Sequence, residues 1–135
     1  MSDSPRIILG VDDDVEDREL VGSTITEIDP SVIVVHAENG TEAIEYLSKA
    51  KVEDDLPCLV ILDINMPKMD GKQTLAQIKK DTQLNKLPVV IFSTSGSSID
   101  KLYCEHFGVE LITKPSDILS IRNIIKRLLQ YCPNV

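Results

Sequence analysis

The chain has 135 residues, 42% of them apolar, and 22 acids against 14 bases give it a net charge of −8. That length suits one domain able to bury roughly two thirds of its unfolded surface, and no apolar run approaches the about 18 residues of a membrane-spanning helix. Binding along nucleic acid needs clustered Lys and Arg to neutralise phosphates, so the acidic balance argues against it.

The elements alternate five times between strand-like and helix-like segments. The apolar run 7–11 ends on Asp12-Asp13-Asp14, and its aspartates and missing basic leader exclude a signal peptide. Leu20, Val21, Thr24, Ile25 and Ile28 then share a helical face. The β-branched run 32–35 follows Pro30, and Asn39-Gly40-Thr41-Glu42 has the pattern of a capping box before Ala43, Ile44, Leu47 and Ala50. A third strand, 59–62, ends on Asp63, and Gly71 opens a helix with Leu75 and Ile78. Asp70 is expected as its N-cap. Pro88 introduces the strand 89–92, which ends on Ser93. A helix follows with Ile99, Leu102, Tyr103 and His106 on one side. The last strand, near Leu111, ends on Lys114-Pro115. Behind it Ile118, Ile121, Ile125, Leu128 and Leu129 mark an amphipathic helix, with Ser116 as its expected N-cap.

Near-continuous apolar strands imply a sheet covered on both faces, and intervening helices require parallel, right-handed crossovers. The expectation is a three-layer α/β sandwich, a single domain over 1–135 with no output domain attached. Cys58, Cys104 and Cys132 are odd in number and lack metal-ligand spacing, so each is expected to be a thiol in a reducing compartment, the cytoplasm.

Parallel order brings the strand ends to one edge. Asp12, Asp13 and Asp63 there crowd negative charge that a cation would relieve, and hard oxygen ligands favour Mg²⁺ over zinc or copper. An aspartate at a strand end can attack phosphorus and form an acyl phosphate. A metal ion, an ammonium (Lys114) and a hydroxyl (Ser93) would neutralise the transferring oxygens.

The segments Val11-Asp12-Asp13, Asp63-Ile64-Asn65-Met66-Pro67-Lys68-Met69-Asp70-Gly71, Pro88 to Ser93 and Thr113-Lys114-Pro115 together resemble the receiver domains of two-component response regulators. The resemblance covers nearly the whole chain and implies a flavodoxin-like strand order 2-1-3-4-5 with five helices. It implies Asp63 as phospho-acceptor, Asp13 as a direct Mg²⁺ ligand, Asp12 acting through water and Asn65 offering its backbone carbonyl. Ser93 would be the switch hydroxyl, Lys114 the phosphate-binding lysine, and Lys114-Pro115 a cis bond. The implied partners are a histidine kinase and a separate downstream or phosphotransfer protein, with the chain a monomer or weak homodimer.

Some positions depart from the family pattern. Leu111 stands where an aromatic residue is frequent, with Tyr103 a possible substitute, and Thr94 and Ser116 also differ from the usual residues. Two rival classes meet obstacles in the sequence. A Mg²⁺-dependent phosphatase of the haloacid dehalogenase type would need an aspartate where Asn65 stands. A phosphorylation-independent binding module would have no use for the charge cluster.

Overall fold

The computed structural model describes residues 5–94 and 96–133. In chain order the elements are β1 (Arg6–Val11), α1 (Val15–Ile28), β2 (Val32–Ala37), α2 (Gly40–Val52), β3 (Leu59–Leu62), α3 (Gly71–Lys80), β4 (Val89–Ser93), α4 (Ser98–His106), β5 (Glu110–Thr113) and α5 (Ile118–Leu128), followed by a 3₁₀ turn, Leu129–Tyr131. All strand pairs are parallel and the sheet order is β2-β1-β3-β4-β5. The parallel three-layer sandwich is the one expected from the run of apolar segments, and its strand order is the flavodoxin-like one that the family resemblance implies.

Side chains alternate across the pleat, so each central strand feeds two cores. Leu9, Val11, Val60, Leu62 and Ile91 pack with Leu47, Leu75, Ile78 and Cys104 of α2, α3 and α4. Ile8, Leu59, Ile61, Val90 and Phe92 pack with Val21, Ile25, Ile121, Ile125 and Leu128 of α1 and α5. Both faces of β3 and β4 are buried along their whole length, which is why those runs do not alternate in polarity.

Local chemistry starts the helices. Asp14, Asn39, Asp70 and Ser97 each accept a bond from the backbone N–H three residues on. At α3 the box closes, since Gln73 accepts from the Asp70 N–H at 3.1 Å. At α2 it half-closes: Glu42 accepts from Glu38 instead of Asn39.

Three expectations need correction, and the structure adds the facing of α4, which the sequence left open. Asp117, not Ser116, caps α5, because its carboxylate reaches the Ser120 N–H at 2.8 Å. The Lys114–Pro115 bond is trans, the isomer an X–Pro bond prefers by about 0.5–1 kcal/mol. The Ile99/Leu102 side of α4 faces outward, at 72% and 64% exposure, while Asp100 and Cys104 turn inward. Lys72 pairs with the buried Asp100, and the Tyr103 hydroxyl donates to the Lys72 carbonyl at 2.7 Å, so polar bonds to the start of α3 set the rotation of α4. Finally, Cys58 and Cys132 form a disulfide with Cα atoms 5.4 Å apart, and only Cys104 is a free, buried thiol. The 3₁₀ turn after α5 delivers Cys132 to the entrance of β3, where Arg6 also donates to the Cys132 carbonyl.

Candidate functional site

The site grows from strand register. Val11 lies opposite Leu62, so the next residues, Asp12 and Asp63, leave the sheet side by side. The ladder continues one step beyond the strands: the Asp63 N–H donates to the Val11 carbonyl at 3.0 Å, and the Asp12 N–H to Ala37 at 3.1 Å. On the other side Ser93 pairs with Thr113, and the Lys114 N–H donates to the Ser93 carbonyl at 2.9 Å. Backbone hydrogen bonding therefore holds every strand-end residue in place before any side chain takes part.

Asp12 and Asp63 are buried and Asp13 is exposed, and one carboxylate oxygen from each lies within 4.8 Å of the others. Three hard oxygen donors converging with one side open fit a small divalent cation that keeps some of its water. The Ile64 N–H donates to Asp63 Oδ1 at 2.8 Å, and the Asp14 N–H to Asp12 Oδ1 at 3.0 Å. Each buried carboxylate thus has one oxygen bonded to backbone and a second turned toward Lys114.

The Lys114 ammonium, itself nearly buried, lies 2.7 Å from Asp12 Oδ2, 2.9 Å from Asp17 Oδ2 and 3.7 Å from Asp63 Oδ2. Burial alone would lower its pKa, but the hydrogen bonds to Asp12 and Asp17 and the charge of Asp63 outweigh it and push the pKa up. The lysine is a fixed cation. For Asp12 the balance differs: burial raises its carboxyl pKa, and the bonds from Lys114 and the Asp14 N–H only partly oppose that.

Ser93 is fully buried at the end of β4, beside the exposed Thr94, and Asn65 is exposed two residues after Asp63. Leu111, half-buried, packs against the core shared with α4. Tyr103 is committed to the Lys72 carbonyl, and its ring lies tilted against Phe107 with centroids 5.1 Å apart. Two neighbours were not anticipated. Arg18 donates to the Asp12 carbonyl at 2.9 Å, and Asp17 shares Lys114. The sequence signals neither beyond a place at the start of α1, where an acid such as Asp17 is ordinary because it complements the helix dipole.

Gly71 belongs to the site's frame. A Cβ there would lie 2.1 Å from the Asp63 carbonyl oxygen and 2.6 Å from Ile64 Cα. The need is close approach of two backbones, not a special turn. The Gly71 N–H donates to the Ile64 carbonyl at 2.9 Å and ties α3 to the Asp63 loop.

A model of the response regulator receiver domain matches residues 8–126. The chain belongs to the response regulator receiver family. Among its relatives, response regulator Rcp1 of Synechocystis is 34% identical over 103 residues, 73% of this chain and 69% of Rcp1. The sensor histidine kinase CheAY of Helicobacter pylori is 28% identical over 96% of this chain, which spans only 16% of that kinase. Likewise the receiver spans 35% of two matching protein-glutamate methylesterases. Among solved structures, the phosphorylated cyanobacterial phytochrome response regulator RcpA superposes with a TM-score of 0.85 at 30% identity, covering 95% of this chain and 94% of RcpA. The Mn²⁺-bound form of Rcp1 gives 0.82 at 27% identity, with the same coverage of each chain.

Proposed function

We propose that this receiver is a phosphorylation switch in which Asp63 accepts a phosphoryl group from the phosphohistidine of a histidine kinase. The carrying observation is the convergence of Asp12, Asp13 and Asp63 within 4.8 Å, with the Lys114 ammonium 3.7 Å from Asp63. Asp63 Oδ1 is taken by the Ile64 N–H, so Oδ2 is the oxygen placed to attack phosphorus. A new O–P bond forms as the P–N bond to the donor imidazole breaks, and the nitrogen keeps the electron pair.

Such a transfer depends on alignment and charge neutralisation. Lys114 would contribute one positive charge to the phosphoryl oxygens, and Ser93 a hydroxyl hydrogen bond, as the switch group. Asp13 and Asp63, the Asn65 backbone carbonyl and Asp12 through water would hold Mg²⁺, which when bound supplies charge neutralisation at those oxygens. The Mn²⁺-bound Rcp1 structure supports a divalent ion in this setting. The donor set favours storage of the phosphoryl group over turnover, since the position where a phosphatase would carry its general acid is Asn65.

We further propose that the chain acts as a single receiver unit on a separate partner, or passes the group to a phosphotransfer protein. The near end-to-end match with RcpA supports this. Ile99 and Leu102 of α4 and Ile118 and Leu119 of α5 are exposed apolar residues, and we place the surface for such a partner or a weak homodimer there. Order changes in the loops after β3 and β4 would reach it. The place of action is the cytoplasm, where the kinase presents its phosphohistidine.

Incubation with Mg²⁺ and acetyl phosphate, read by intact mass, tests the proposal. A single phosphoryl adduct is expected on the parent and none on Asp63→Asn. No adduct on the parent, or equal adducts on both, would sink it. Continuous phosphate release from phosphomonoesters would favour an enzyme instead.

A further inference from the structure

We propose that Asp17 is a positioning residue: it holds the Lys114 ammonium away from Asp63 in the resting protein and thereby sets how tightly the site takes up a phosphoryl group. This rests on the roles given above to Asp63 and Lys114.

Three carboxylates surround Lys114 Nζ, but not equally. Asp12 and Asp17 lie at hydrogen-bond distance, 2.7 and 2.9 Å, while Asp63 lies at 3.7 Å, beyond it. The resting lysine is therefore committed to the α1 side of the cleft. Asp12 belongs to the carboxylate trio that can hold a cation, and Asp17 does not. Whatever occupies the trio competes with Lys114 for Asp12, and Asp17 then remains as the lysine's own counter-charge.

The local structure of α1 shows why Asp17 is available for this. It is the third residue of the helix, and its N–H bonds the Asp14 cap at 3.1 Å. In a closed capping box its side chain would reach back to the Asp14 N–H. That N–H is already donated to Asp12 Oδ1. At α3, where the N-cap N–H is not so diverted, Gln73 does close the box. Asp17 instead turns to a lysine 97 residues away in sequence. A phosphoryl group on Asp63 must draw Lys114 off this partner, so Asp17 opposes phosphoryl uptake.

The test uses the full chain as parent, Asp17→Asn and Asp17→Glu, and a second set of the same three proteins that also carries Lys114→Met. Without metal or donor, ¹⁵N NMR follows the Lys114 ammonium signal. Asp17→Asn is expected to shift it and speed its hydrogen exchange, and Asp17→Glu to restore it. An unchanged signal in Asp17→Asn overturns the proposal. With Mg²⁺ and beryllofluoride as the phosphoryl mimic, Asp17→Asn is expected to bind roughly fivefold more tightly, the fold-change appropriate to losing one half-exposed ion pair. The gain should vanish in the Lys114→Met background. Equal or weaker binding by Asp17→Asn, or a gain that persists without Lys114, overturns it. A parent that takes neither beryllofluoride nor a phosphoryl adduct refutes the role of Asp63, and the NMR arm still decides whether Asp17 holds the lysine.

Discussion

At the scale of single residues, Asp12 carries the clearest pH signature. Burial raises its carboxyl pKa against the opposing bonds from Lys114 and the Asp14 N–H. Between its unfolded value, about 3.9, and the higher folded value, the folded state binds more protons. Stability from this group is therefore greatest at the acid end and declines as pH rises through the window. In chelator, Asp12→Asn is expected to flatten that decline in Tm, and a pH–Tm profile parallel to the parent's would contradict it. Asp12, Asp13, Asp63, Ser93 and Lys114 were legible in the sequence because each ends an apolar run, and parallel order puts such ends on one edge. Asp17 was not. First-turn acids are commonplace, and only the side-chain geometry reveals that its usual partner, the Asp14 N–H, is already taken.

Among the elements, the β3–α3 junction is the tightest joint. The start of α3 rests on the backbone that follows β3, leaving no space for a Cβ at Gly71. Gly71→Ala must push the Asp63 loop and the helix apart, since the obstructing atoms are backbone. The expected loss is about 1–3 kcal/mol, typical of overpacking a filled site, together with a marked fall in phosphorylation rate. Urea denaturation and acetyl-phosphate kinetics check the two parts; a variant with parental stability and rate would contradict the close-approach account of this glycine. While the strand order came from the family resemblance, strand identity and parallel direction followed from apolar runs bounded by Pro and Gly, as buried parallel strands should. The facing of α4 did not. Its apolar residues mark one side of the helix, but Lys72, Asp100 and Tyr103 bond the other side to α3, and periodicity is blind to such polar fastening.

For the whole molecule, the Cys58–Cys132 bond closes the chain across 74 residues, joining the entrance of β3 to the turn after α5. An odd number of cysteines with no spacing pattern concealed it, because the pairing depends on where the final turn lands after the entire sandwich has closed. Cross-linking a loop of this length removes unfolded-state entropy worth roughly 4 kcal/mol in the chain-entropy model. Full reduction with dithiothreitol is expected to lower Tm by on the order of 10 °C, measured by thermal melts with thiol counting; an unchanged Tm after complete reduction would contradict it. The bond lies at the edge of the sheet opposite Asp63, so reduction should leave phosphoryl uptake intact in the folded protein. That separation fits a fold in which one edge carries the chemistry and the other fastens the chain.

Chemical trapping of the acyl phosphate locates the acceptor most directly. After incubation with Mg²⁺ and acetyl phosphate, borohydride reduction converts an aspartyl phosphate to homoserine, and peptide mapping finds the converted residue. Homoserine at position 63 and nowhere else is the expected result. Conversion at Asp12 or Asp13, or none at all, would contradict the assignment of Asp63 as the phospho-acceptor.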